Sequence, residues 1–551
     1  MIVGIDLGTA TCLAAAWKDG RPRLIPNALG DVLTPSYVGI EDDGSVAIGR
    51  PAFERWATHP HLTSRPLQGR FDEVPPLRDG DRELGRDELI ALILRSLCAD
   101  AHAFLGAPVT AVVIAVPCAL TDPERRAVLH AGKLAGVRVL RLLNASTAVA
   151  LHYAQPRADT NSRFLVMDFG SGGVNVAAVD TFDGIVEVKA CAGDRSASGD
   201  AVTRLLAGHL LDEAHASAEL RADDAFMRRL MLRAEVVKRE LSAGRDVTLP
   251  VIPRSSDTVH VGVKTFEALL TPWLALLWRP AERVMRDARL RAADLNAVII
   301  SGGTSQLPQV RAFAEQLFGR PPVEGVPAME AVAAGAAMLA GMIAGDVGLS
   351  RFALTDVCAY TLGSIEDTSG GTYSPAIERN TVIPASHTRR MLPSPPDRQT
   401  LTLDLYQGES RRREDNVPVT SVRLPFADGE GTDIRFSYDA NGLVSMERAE
   451  GRQWIPLAGE GLSDLHSAER RVALDAWTVP ARHAVPHRML LTEAGRALAE
   501  LPQPTRARLA RAMLLLGDAL AARDRAASAQ HAATLREMLA ANPRRDAPAT
   551  T

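Results

Sequence analysis

Cysteine is scarce and scattered in this chain: Cys12, Cys98, Cys118, Cys191 and Cys358 make an odd set of five with no CxxC pair. This argues against both a structural zinc site and a disulfide framework. Lysine is as sparse. Lys18, Lys133, Lys189, Lys238 and Lys264 are the only lysines in 551 residues, arginine supplies nearly all the positive charge, and no lysine lies between Lys18 and Lys133. A net charge of -4 offers no electrostatic footprint for nucleic acid or an anionic membrane. Proteins and small molecules are the expected partners. Met1 is followed at once by a strand-like run, with no basic n-region and no signal-like apolar segment. The longest run of small apolar residues, 331–344, falls short of the ~20 residues a membrane span needs and reads as a packed helix. A reducing cytoplasm is the expected location.

What is present begins with a duplication. Ile2-Val3-Gly4-Ile5-Asp6-Leu7-Gly8-Thr9 recurs in altered form as Phe164-Leu165-Val166-Met167-Asp168-Phe169-Gly170-Ser171-Gly172-Gly173. Each copy is an apolar strand that ends in a carboxylate and a glycine turn. Glycines there let backbone N–H groups approach a phosphate where a Cβ would clash, and an aspartate at the strand end can hold hydrated magnesium. The pattern points to nucleotide binding, although a lone Asp-Leu-Gly would read as an ordinary turn.

A chain of 551 residues exceeds one hydrophobic core, which stops growing at roughly 250–300 residues. Residues 1 to about 345 alternate strand and helix signals, with strands at 109–116, 137–143 and 297–301 and helices at 122–135 and 224–242; this reads as α/β. After about 350 the period changes to two, as at 401–406 and 433–438 with an Asn441-Gly442 turn, the pattern of an antiparallel β domain. From about 463 alanine, leucine and arginine dominate. Leu509, Met513, Leu516 and Leu520 fall on one helical face, and the tail from Asn542 reads as disordered.

The order α/β, then β, then helices resembles the seventy-kilodalton heat-shock chaperones, most closely the HscC-type branch of the DnaK family. The resemblance rests on Gly4 to Thr9, Leu33-Thr34-Pro35-Ser36, Val116-Pro117, Leu143-Asn144 with Thr147-Ala148, Gly302-Gly303-Thr304, Glu330-Ala331-Val332 with Gly335-Ala336-Ala337, Ile377-Glu378-Arg379-Asn380-Thr381 and Gln407-Gly408-Glu409. It implies an actin-like (ribonuclease H-like) two-lobed nucleotide-binding domain over 1–347, a linker over 348–358, a β-sandwich for extended apolar peptides over 359–450, and a helical lid over 463–541 that closes on them. The lid is shorter than in the main chaperones of the family, which implies weaker retention of clients. ATP or ADP with Mg2+, unfolded client segments and a J-domain co-chaperone are the expected partners of a monomer.

Carried onto this chain, the resemblance makes Asp6, Thr9, Asp168 and Arg65 the candidate catalytic residues, with Asp6 and Asp168 holding Mg2+ through water. Gly8, Thr9, Ala10, Gly170, Ser171, Gly172 and Gly173 form the phosphate loops. Glu235, Lys238, Arg239 and Ser242, spaced i, i+3, i+4 and i+7 on one helical face, match the adenosine contacts, with Gly302, Gly303, Thr304 and Gln306 opposite; by pattern alone the helix could be a solvated charged face. Several positions depart from the family: Ala10 replaces a hydroxyl, with Thr11 the nearest substitute; Gly173 replaces a threonine; Asn175 a carboxylate; Arg65 a lysine; Ala145 and Ser146 a Glu-Pro pair; Gln306 an arginine; and Met329 an aspartate. Slow hydrolysis is therefore expected, and a nucleotide-sensing pseudo-ATPase is the alternative. A sugar or acid kinase on the same actin-like fold would leave the β domain unexplained. Pro117, Arg125 and Asp356 correspond to the relay between nucleotide and β domain, with 352–357 able to dock as an edge strand. Met391, Leu401 and Leu403 correspond to the peptide pocket, although periodicity alone makes the leucines core.

Overall fold

The computed structural model describes residues 1–541 apart from 70–72, 158, 254, 367–372, 393–399, 427–430, 449–452, 456–463 and 499–500; the tail expected to be disordered lies outside the described residues. The duplication governs the first part of the fold. In one sheet Ile2–Leu7 runs parallel to Ala111–Val116 and antiparallel to Thr11–Lys18. In the other, Ser162–Phe169 runs parallel to Ala297–Ser301 and antiparallel to Val174–Phe182. The two carboxylates even share a register, Asp6 opposite Leu13 and Asp168 opposite Asn175, seven residues on in each case. Strands buried on both faces read as unbroken apolar runs, and every residue of Ala111–Val116 is buried.

Two helices rich in small residues, Ala145–Ala154 and Ala331–Ile343, pack on each other. Their backbones approach so closely that a Cβ on Gly335 would lie 1.9 Å from the Ala148 carbonyl oxygen. The run of small residues over 331–344 is thus a packed helix, and no described helix is long and apolar enough to cross a membrane.

Ala353–Val357 adds to the second sheet, parallel to Ile185–Asp194, and then pairs antiparallel with Val382–Ile383. Beyond it stand two four-stranded sheets. One orders Tyr373–Ile377, Leu362–Glu366, Thr400–Gln407 and Val417–Pro425; the other orders Ala385–Met391, Thr432–Tyr438, Val444–Arg448 and Gln453–Ile455. The last strand carries the β region past residue 450, where it was expected to end. Alternation sends Leu401, Leu403 and Leu405 into one shared core with Ile434, Phe436 and Met446. Met391, Leu401 and Leu403 are 1%, 0% and 0% exposed, so in this conformation they fill the core and present no surface to a peptide.

Helices Asp464–Asp475, Val485–Leu498, Thr505–Ala521 and Arg525–Ala540 complete the described chain. Leu509 and Leu516 are buried in their common core, with Met513 and Leu520 packed alongside. These helices do not close over the β sheets as the resemblance implied. They lie on the N-terminal lobe, where Leu474 and Trp477 join Leu89, Ile93 and Leu97 in one apolar cluster. Charge explains the choice. Arg482 pairs with Asp100 at 2.7 Å and Arg488 with Asp43 at 2.9 Å, while Arg470, Arg488 and Arg496 pair with Glu88, Glu41 and Glu54. Replacing Arg488 and Arg496 by Glu should weaken this attachment by about 1–2 kcal/mol in total, and added salt should weaken the wild type. Faster amide exchange in Asp464–Asp475 would report it.

Candidate functional site

The two glycine turns face each other. A Cβ on Gly172 would lie 2.3 Å from Thr9 Oγ1, so the first loop touches the second where a phosphate chain would thread. The first turn is fixed by Ser36, whose hydroxyl donates to the Gly8 carbonyl at 2.6 Å and whose N–H donates to that of Ala10 at 2.8 Å. In the second, Gly170 N–H donates to Gly173 O at 2.9 Å. Gly199 N–H donates to Gly170 O and Asp200 N–H to Ser171 O, which ties the turn to the start of helix Gly199–Glu213. Thr304 Oγ1 also donates to Gly170 O, at 3.2 Å, and brings the third glycine loop in. Gly302 has φ +81°, and a Cβ there would meet Phe169 O at 2.3 Å.

Asp6 and Asp168 lie at the base of this cradle. Burial pushes the Asp6 carboxyl well above the carboxylate range, and the negative charge of Asp168 adds to it. Asp168 is also raised by burial, although Ser301 Oγ at 2.9 Å and Asn175 Nδ2 at 3.3 Å donate to it. Two buried like charges favour a cation between them. The described residues hold no group of three or more His, Cys, Asp or Glu that could ligate a metal. Two carboxylates fit magnesium that keeps most of its waters.

The Asn175 amide works at both ends: Nδ2 donates to Asp168 while Oδ1 accepts from Cys118 N–H at 3.0 Å, across the lobes. Asn175→Asp would lose the donor and add a third negative charge. The nucleotide-free protein should lose about 1–3 kcal/mol, read as a lower melting temperature that magnesium partly restores.

The helix expected to face a purine is Asp224–Ser242, capped by the Asp223 carboxylate on Phe226 N–H. Phe226, Leu230, Ala234, Val237 and Leu241 bury one face, leaving Glu235, Lys238, Arg239 and Ser242 to the cleft side. Lys238 Nζ lies 2.5 Å from Glu235 Oε2 and 3.0 Å from Thr203 Oγ1, and Arg239 Nε lies 3.2 Å from Glu235 Oε1. Burial alone would raise the Glu235 carboxyl, but Lys238 and Thr203 hold it below the usual range. Ser242 Oγ donates back to Lys238 O at 2.6 Å. On the opposite loop Gln306 is exposed, and Met329 Sδ packs 3.1 Å from where a Gly303 Cβ would be.

Arg65, only 9% exposed, is engaged by a residue the motifs did not single out. Its Nη2 lies 3.2 Å from Asp200 Oδ2, to which Gln68 Nε2 also donates at 3.1 Å. The guanidinium sits over the Tyr37 ring, 5.3 Å from its centroid. Ser198-Gly199-Asp200 is readable as a helix start, with Ser198 accepting from Ala201 N–H; its partner across the cleft is not. Ala145 and Ser146 are buried in the first turn of Ala145–Ala154.

A continuous polar chain leaves the base of the lobes. Asp356, 3% exposed, accepts from Asn144 Nδ2 at 3.1 Å and Thr147 Oγ1 at 3.2 Å. Arg125 donates to Asn144 Oδ1 at 2.7 Å and to the Asn441 carbonyl of the β region at 3.0 Å. Asp122 accepts from Val444 N–H at 2.7 Å while its own N–H donates to Gln407 Oε1 at 2.7 Å. From the other lobe Asp287 holds Arg379 at 2.8 Å and Asn380 at 3.0 Å. Pro117 contributes a turn, its carbonyl accepting from Leu120 N–H. Asp122, Asn144, Asp287, Arg379, Asn380 and Gln407 were not among the expected relay residues, although four of them stand in the segments on which the resemblance rests.

The family model described as Hsp70 protein matches residues 2–69 and 77–455. The chaperone protein DnaK of Trichormus variabilis is 33% identical over 509 residues, covering 85% of this chain and 73% of that relative. That of Nitrosopumilus maritimus is 32% identical over 467 residues, with 81% and 72% covered, and that of Thermotoga neapolitana is 33% identical over 463 residues, with 81% and 77% covered.

Proposed function

The chain belongs to the Hsp70 family, and from that premise we propose that it is an ATP-dependent chaperone of the HscC type: Mg2+ and adenine nucleotide in the cleft bias a β region between states that exchange short apolar peptides fast and slowly. The observation that carries this reading is the buried chain Asp356–Asn144–Arg125–Asn441, which joins the docked linker strand, the N-terminal lobes and the β sheets. A nucleotide moves such an equilibrium only by its differential affinity for the two arrangements. Asp6 and Asp168 would hold the hydrated magnesium, which when bound neutralises phosphate charge. Thr9 and the glycines of both loops would cradle the phosphates, Glu235, Lys238, Arg239 and Ser242 would face the adenosine, and Gly302, Gly303 and Thr304 would close the other side. Unfolded segments and a J-domain co-chaperone are the partners this function calls for.

A second reading, a nucleotide sensor that does not turn ATP over, draws on two features. Arg65 is committed to Asp200, and Asn175 to Asp168 and Cys118. Catalysis of phosphoryl transfer is positioned charge, and each preorganised group removed typically costs about a hundredfold or more. Single-turnover hydrolysis with magnesium separates the two. Phosphate release at rates comparable to an active family member supports the ATPase, tight binding without release supports the sensor, and no binding at all removes both.

A further inference from the structure

The ion pair between Arg65 and Asp200 spans the cleft, one residue from each lobe. Arg65 follows strand Thr63–Ser64 of the first lobe, whereas Asp200 opens helix Gly199–Glu213, whose first N–H groups bond the second glycine turn. The Asp200 carboxylate therefore stands beside the phosphate cradle, where its charge opposes a phosphate. It is held there by two donors, Arg65 Nη2 and Gln68 Nε2, both on Oδ2. The Arg65 Nε is buried and has no partner among the described residues, so the guanidinium keeps one donor unspent. A buried guanidinium with one N–H left without an acceptor is poised for another oxyanion, and its planar fork donates to carboxylate and phosphate geometries alike.

Resting on the nucleotide-binding reading above, we infer that Asp200 is a specificity-determining residue: it holds Arg65 across the cleft when no terminal phosphate is present, and it competes with the γ-phosphate of ATP for that guanidinium. A diphosphate has no third phosphate to offer and leaves the pair intact. A triphosphate takes Arg65 and must separate it from Asp200, so part of its binding free energy is spent on opening the pair. Asp200 thereby lowers the preference for ATP over ADP and couples terminal phosphate occupancy to a contact between the lobes. The family's lysine position is filled here by arginine, which fits this exchange because the fork can leave one oxyanion and engage another without losing its charge.

The test compares full-length wild type, Asp200→Asn, Arg65→Ala and the double variant by calorimetric titration with Mg-ADP and with a magnesium complex of a non-hydrolysable ATP analogue. Asp200→Asn should raise the ratio of triphosphate to diphosphate affinity about tenfold, because a competing and repelling charge is gone. Arg65→Ala should lower that ratio. In the Arg65→Ala background Asp200→Asn should change it by far less than in wild type, the sign of a coupled pair. Should Asp200→Asn fail to fold, the Arg65→Ala arm still decides: equal loss for both nucleotides overturns the inference. An unchanged or lowered ratio in folded Asp200→Asn also overturns it, while leaving the chaperone reading in place. Failure of wild type to bind either nucleotide overturns that reading and this inference with it.

Discussion

Asp6→Asn is expected to abolish magnesium-dependent turnover, by at least about a hundredfold, while making the nucleotide-free protein more stable. The two effects have one cause. Asp6 is buried beside Asp168, and burial, then the neighbouring charge, raise its carboxyl pKa. A folded value above the unfolded value of about 4 means that the fold prefers the protonated acid, so its stabilising contribution is present below that pH and is lost as pH rises through the folded value. Without a cation, the buried Asp6 carboxyl therefore costs the fold stability as pH rises. Asparagine keeps the shape and removes the charge, so the variant should gain about 1 kcal/mol and lose the part of the pH dependence that Asp6 supplies. Magnesium should raise the wild-type melting temperature and leave that of the variant much less changed. Thermal melts across pH, with and without magnesium, measure all of this; a variant less stable than wild type at neutral pH would contradict the charge argument.

Asp356→Ala should release the linker strand. The carboxylate accepts from Asn144, from Thr147 and from its own Val357 N–H at 2.9 Å, all in a buried setting. Truncation leaves those donors without an acceptor and removes a buried negative charge that faces Arg125 and Arg141, of which Arg141 keeps Asp439. A loss of about 3 kcal/mol follows for the docked arrangement, or roughly a hundredfold in its population relative to the undocked one. Amide exchange in Ala353–Val357 and in Val382–Ile383, which pairs with it, should accelerate together, while Ser162–Phe169 on the far side of the same sheet should be little affected. Acceleration across the entire sheet would instead mark general destabilisation.

The parts of the fold written in local pattern were legible. An apolar run closing on Asp-x-Gly identifies itself twice, and the two copies share even the seven-residue register that sets Asp168 opposite Asn175. Helix 224–242 could be bounded because its cap, apolar face and final serine are all local. Leu401 and Leu403 show the limit of resemblance, since strict alternation places them in a shared core. The seat of the C-terminal helices was not legible. It depends on arginines meeting acids 382 to 447 positions earlier, and nothing in a helical period says which acidic surface will be chosen. Asp200 was missed for the same reason: its helix start is local, whereas its partner Arg65 comes from the other lobe.

On the proposed function, nucleotide in the cleft controls docking of the linker and β region. Limited proteolysis of the full chain, followed at residues 350–360, tests it most directly. With Mg-ATP the linker strand should be cleaved more slowly than with Mg-ADP or with no nucleotide, because the docked strand is paired on both edges and Asp356 is buried. Equal cleavage rates in all three conditions would contradict the account.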